Sequence, residues 1–358
     1  MRIGNRIGRF LYLYARNKVQ YDPIAELIIF LLMPFICFWT MGFPDGIGLV
    51  ELLSGFAFPA LFVVIGYYLL EDNERRSERL KWAMLRYGFY FVVLMVIYVI
   101  ASIFIPFSRA VIDLNSFQSK RLWFNFIVLD YWPLPIGDSI WFVQSLFITT
   151  VIFYVADKLK LMRFYKIVLA VFFVFMLITS DLSVVVGFNV LGYQYLTSGV
   201  FTRAIPYMLI GLLMLENYEF FKKLPFWAYL ILFVLGGALT AGEYYLLFIT
   251  GKLGYTGHMF GYVVMAVAVG GLLISFENMR KNPISKRGST IALFVYGLYS
   301  PMYTLLFMFI MEKTPKNLEV YFRFSGIIIY FVCLIIGILV AAFLSLREVK
   351  YTVGESEM

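Results

Sequence analysis

Residues 47–70 read IGLVELLSGFAFPALFVVIGYYLL and residues 71–86 read EDNERRSERLKWAMLR, so one apolar run containing a single carboxylate, Glu51, gives way abruptly to a segment with five cations. As an α-helix the first part rises about 36 Å, enough to cross about 30 Å of hydrocarbon. The second part is the kind of basic segment that stays on the cytoplasmic side of a membrane. Together they predict a span that starts outside and ends inside.

Working outward, the same alternation covers the chain. Apolar stretches run over residues 24–41, 47–70, 85–106, 139–156, 166–192, 201–217, 225–249, 257–276, 289–311 and 324–346. Segments 1–23, 71–86, 157–166, 218–224, 277–288 and 347–358 hold 22 of the 30 Lys and Arg residues; seven lie in the other loops and Arg203 lies within a stretch. The expected fold is all-α, a polytopic membrane protein of about ten transmembrane helices with both termini cytoplasmic. Residues 1–23 form a basic juxtamembrane segment, 24–346 one membrane domain and 347–358 a cytoplasmic tail. The expected location is the cell membrane, inner or plasma, in a multi-pass arrangement.

Composition agrees. At 62% apolar and 15% charged, the chain cannot build a hydrated surface. The net charge of +8 sits in short juxtamembrane loops, without the basic stripe of a nucleic-acid binder, so anionic lipid is the expected partner and nucleic acid is not. Cys37 and Cys333 fall in the middle of the first and last stretches and read as small apolar fillers. No phosphate-binding glycine loop is present. A short helix on the inner leaflet is one reading of Ile3, Ile7, Phe10 and Tyr14 beside Arg2, Arg6 and Arg9; a basic unordered tail is the other. The outer loop over 107–138, with Arg121, Trp123, Phe124, Phe126, Tyr131 and Trp132, reads as a lid or as an aromatic belt.

Ionisable groups inside spans cost about 2.5 to 3.5 kcal/mol unpaired, which makes them functional candidates. Glu26 and Glu216 fall near inner ends of their stretches, within reach of the headgroups. Glu51, Arg203 and Glu243 share a depth near the outer surface, together with His258, Asp138 and Asp181. One reading is a shared outward polar cavity; the other is a structural ion pair between Arg203 and one carboxylate. His258, the only histidine, has the side chain suited to general-base work near neutrality, and a buried carboxylate is the substitute. No metal is expected, since one His and two distant Cys make no ligand set. Gln144 is polar within a stretch and is expected to bond a neighbouring helix or line a cavity. Ser54-Gly55 and Gly236-Gly237-Ala238 are small-residue steps of the kind that let helices approach closely.

Four strings have a familiar order. Ser54-Gly55-Phe56-Ala57-Phe58-Pro59-Ala60-Leu61-Phe62 running on to Ile65-Gly66-Tyr67-Tyr68-Leu69, then Ile140-Trp141-Phe142-Val143, then the run from Phe201 through Arg203 to Leu213, then Tyr296-Gly297-Leu298-Tyr299-Ser300-Pro301, resemble successive motifs of the acyltransferase-3 family of membrane acyltransferases. The resemblance implies transfer of an acyl group, typically acetyl from cytoplasmic acyl-CoA, to a hydroxyl of a cell-envelope glycan or lipid-linked sugar. The family's first span carries an Arg, ten residues and a His; alignment puts Asp22 and Met33 at those positions, and Ser300 where a late-span His belongs. No catalytic residue carries over from them. His258 and Glu51 are then the candidate bases, and Arg203, Glu243, Trp141 and Gln144 the candidate substrate-binding residues.

Three functions fit these residues: an acyltransferase with a different base, an inactive relative that binds, exports or helps assemble an envelope polysaccharide or its lipid carrier, and a transporter. The enzyme requires a path through the bundle with cations at its inner mouth for the CoA phosphates and Arg203 at its outer end. The transporter predicts matched Gly/Pro-broken spans in the two halves, and Pro34, Pro59, Pro206 and Pro301 form no such pair. If the alignment holds, Met33 and Ser300 face one another across a cavity.

Overall fold

A computed structural model describes residues 23–41, 49–71, 74–104, 141–179, 200–251, 259–276, 283–313 and 325–343. Among the described residues there is no strand. The helices are α1 Pro23–Met41, α2 Leu49–Ser54, α3 Ala57–Leu69, α4 Arg76–Phe104, α5 Trp141–Lys158, α6 Tyr165–Thr179, α7 Ile205–Glu216, α8 Tyr218–Lys223, α9 Phe226–Ile249, α10 Phe260–Ser275, α11 Pro283–Lys313 and α12 Ser325–Phe343. A 3-10 turn, Leu161–Phe164, joins α5 to α6, and a π turn, Val200–Ala204, opens α7.

Among the described residues, four segments are long and apolar enough to cross a membrane: Leu52–Leu69, Arg76–Ile100, Phe226–Ile249 and Ser325–Phe343. Their surroundings differ sharply. The first is 89% buried within the protein, whereas the others are buried over only 22–33%. Their outward faces carry apolar side chains such as Val92 and Val96 on α4, Val234 and Leu235 on α9 and Ile335 and Leu339 on α12. Large apolar groups on both the inside and the outside are what a bilayer, not water, permits.

The continuous stretch expected over 47–70 is two helices. Gly55 N–H reaches back only to Leu52 C=O, at 3.4 Å, and the ladder resumes with Ala60 N–H to Phe56 C=O at 2.9 Å. Tyr262 of α10 fills the break: its hydroxyl donates to Leu52 C=O at 2.7 Å, and its ring occupies the space a Cβ on Gly55 would need. A carbonyl that a broken helix leaves short of partners is thereby bonded inside the bundle.

Helix α3 is the axis of the fold, buried at every position except Tyr68. It crosses α7 at backbone distance, because a Cβ on Gly66 would strike the Met208 backbone and one on Gly211 would strike Val63 C=O. Such crossings between small residues give membrane helices the van der Waals contact that water exclusion cannot supply there. The same device joins α9 to α10, where Gly261 lies against Gly236 and Thr240, and α11 to α1, where Gly288 lies against Glu26 C=O.

Polar contacts collect at the helix ends. At one end Arg76 Nε meets Asp157 Oδ1 at 2.7 Å, joining the start of α4 to the end of α5. Lys166 Nζ meets Glu216 Oε2 at 2.9 Å, joining the start of α6 to the end of α7. The opposite ends of α5 and α7 carry Trp141 and Arg203. The basic tail, the outer loop and the carboxy-terminal segment lie outside the described residues.

Candidate functional site

Pro206 explains the local backbone around Arg203. It cannot donate to the carbonyl one turn earlier, and its ring crowds that carbonyl, so the preceding turn widens to π geometry and carries Arg203 inward. Arg203 is 5% exposed, and its guanidinium carbon lies 5.7 Å from the ring centroid of Trp141. Trp141 in turn packs on Phe58, with centroids 4.5 Å apart. Phe142 lies 5.2 Å from Phe58, 5.2 Å from Phe62 and 5.3 Å from Tyr296. Phe58, Trp141-Phe142, Arg203 and Tyr296 belong to the four family-like strings, which lie far apart in the chain and meet here.

Glu243 is also buried, at 5% exposure. Its carboxylate accepts from Phe260 N–H, at 2.9 Å to Oε2 and 3.2 Å to Oε1, and so caps the first turn of α10. Tyr207, fully buried one turn after Arg203, lies within electrostatic reach of Arg203, Tyr262 and Glu243. Arg203 thus lies against Trp141, and Arg203 and Glu243 both lie within electrostatic reach of Tyr207. Gln144, one turn into α5, is fully buried.

At the other end the structure decides between the two readings of Glu26, bundle-facing or interfacial. It is no interfacial carboxylate: it is 2% exposed and accepts hydrogen bonds from Ser289, from N–H at 2.5 Å and from Oγ at 3.0 Å. Arg86, counted among the loop cations, is likewise buried, at 4% exposure, and donates from Nη2 to Ser289 Oγ at 3.3 Å. Glu26 of α1, Arg86 of α4 and Ser289 of α11 thus form one buried polar node between three helices. Beside it lies a small cavity lined by Met33, Leu61, Phe142, Leu146, Arg86 and Ser289 among others, with space for about one or two waters.

Met33 and Ser300 are both buried, so neither faces lipid. Met33 lines the cavity; Ser300 does not. Asp22, Asp138, Asp181 and His258 lie outside the described residues, and of Glu51 only its place in α2 is described. Among the described residues no group of His, Cys, Asp and Glu could hold a metal ion.

Comparison with known proteins finds no matching family model, no similar curated protein and no similar solved structure.

Proposed function

We propose that the chain is a multi-pass cell-membrane acyltransferase of about ten spans, with both termini cytoplasmic, moving an acetyl-sized group from acyl-CoA to a hydroxyl of an envelope glycan or lipid-linked sugar. One observation carries this reading. Side chains from all four family-like strings converge on a single cluster, Phe58, Trp141, Phe142, Arg203 and Tyr296, in which a buried cation and an indole face share a site. An indole face is suited to a sugar ring, and a guanidinium to a phosphate or carboxylate beside it. The loop pattern supports the orientation: the contacts that join Arg76 to Asp157 and Lys166 to Glu216 link segments with the same basic character.

The base in this reading is His258 or Glu51, since Met33 cannot accept a proton. Purified protein incubated with labelled acetyl-CoA and an envelope-glycan extract tests the proposal. Wild type is expected to transfer label, and Arg203→Ala and Trp141→Ala to lose transfer, as is His258→Ala or Glu51→Gln. Wild-type protein that neither binds nor consumes acetyl-CoA overturns the enzyme reading.

A further inference from the structure

The geometry points to Ser289 as an acyl-accepting nucleophile with Glu26, in place of His258 or Glu51, as the base, on the Arg86 side of the aromatic cluster; this rests on the acyltransferase reading above. A hydroxyl becomes a competent nucleophile when a base sits within hydrogen-bond reach and a further group holds that base in place. Ser289 Oγ donates to Glu26 Oε1 at 3.0 Å, and the Ser289 N–H fixes the other carboxylate oxygen. Arg86 Nη2 lies 3.3 Å from the same Oγ, where positive charge favours an oxyanion forming next to it. Ser289 and Arg86 line the cavity, whose remaining wall is apolar apart from Tyr87, with Ile29, Met33, Leu61, Phe142 and Leu146 among it. Space for about one or two waters matches a two-carbon acyl group and excludes a long chain.

Position adds a reason. Glu26 and Met33 are seven residues apart on α1, two turns along the same face, so the carboxylate stands about 10 Å along the helix from the cavity wall at Met33. The chemistry balances as two transfers. In the first, Ser289 Oγ attacks the thioester carbonyl of an acyl-CoA; the C–Oγ bond forms and the C–S bond breaks. The Oγ proton passes to Glu26 and then to the departing thiolate, releasing the free thiol. In the second, an acceptor hydroxyl reaching the same cavity attacks the acyl-serine carbonyl. Its proton passes to Glu26 and on to Ser289 Oγ as the C–Oγ bond breaks, leaving the ester product and the restored serine.

Incubation of the full-length protein in lipid nanodiscs with labelled acetyl-CoA and no acceptor, followed by acid quench and peptide mass spectrometry, tests the assignment. One acetyl group on Ser289 is expected, with Glu26→Gln forming it about 10²-fold more slowly. Ser289→Cys, which keeps a nucleophile at the position, is expected to carry a thioester cleaved by neutral hydroxylamine, a signature no packing role produces. Thermal unfolding of each variant separates lost chemistry from lost structure. Transfer by wild type without acylated Ser289, and undiminished transfer by Ser289→Ala, overturns this inference while leaving the acyltransferase reading standing. Absence of any acetyl-CoA consumption by wild type overturns both.

Discussion

The guanidinium of Arg203 lies over the indole of Trp141, 5.7 Å from its centroid, with only 5% of the arginine exposed. A desolvated cation gains about 2 kcal/mol or more from such a ring, against about 0.5 to 1 at an exposed site. Trp141→Leu and Arg203→Gln should each lower the unfolding temperature, and the double variant should lose less than the sum, because the two changes remove one contact. Thermal unfolding in a single detergent measures this, and strict additivity would count against the contact.

Two glycines should respond to alanine in opposite ways. Gly66 meets the Met208 backbone where its Cβ would go, whereas Gly237 on α9 has nothing within 4 Å. Gly66→Ala must push α3 from α7 and is expected to cost about 1 to 3 kcal/mol. Gly237→Ala removes only backbone freedom and should be neutral or stabilising by up to about 1 kcal/mol. The difference in unfolding midpoint between the two variants is the quantity to measure.

Glu243→Ala should loosen the first turn of α10. The carboxylate serves Phe260 N–H through both oxygens, and losing a cap of this kind costs about 0.5 to 2 kcal/mol. Glu243→Gln keeps an acceptor and should recover part of the loss. Hydrogen exchange read at residues 260–262 distinguishes the two; equal protection in both variants would speak against the cap.

The two arginines that open α4 should differ in their sensitivity to salt. Arg76 and Asp157 retain side-chain exposures of 17% and 11%, whereas Glu71, the partner of Arg79, is 50% exposed. Asp157→Asn is expected to cost about 1 kcal/mol with little change between low and high salt. Glu71→Gln should cost a few tenths at low salt and nothing measurable at high salt.

Helix class was legible because run length and loop charge both report position along the membrane normal. That single coordinate grouped Arg203 and Glu243 by expected depth, with Glu51 and His258. It carries no information about direction around a helix, and so left open whether Glu26 faces the bundle or the headgroups. Its depth was read near an inner helix end, but its neighbour Ser289 stands 263 residues away, and only the packing of α11 on α1 turns the carboxylate inward. The break after Ser54 was hidden for a related reason: the unbroken hydropathy of residues 47–70 gives no sign of it, and the tyrosine that stabilises it lies on α10. Arg86 looked like a loop cation because apolar residues begin beside it, yet α4 starts ten residues earlier, at Arg76, which carries Arg86 well into the helix.

The near-complete enclosure of α3 has a consequence for how the chain assembles. Its neighbours in α7 and α10 are synthesised long after it, so a growing chain holds α3 against lipid before those helices exist. Its uniformly apolar surface makes that wait tolerable, since lipid tails satisfy the same side chains that α7 and α10 later meet. Docking of α3 therefore belongs to the late, long-range part of folding, where loop closure sets the pace. Premature termination after α6 would leave the axis helix without the walls that α7 and α10 supply.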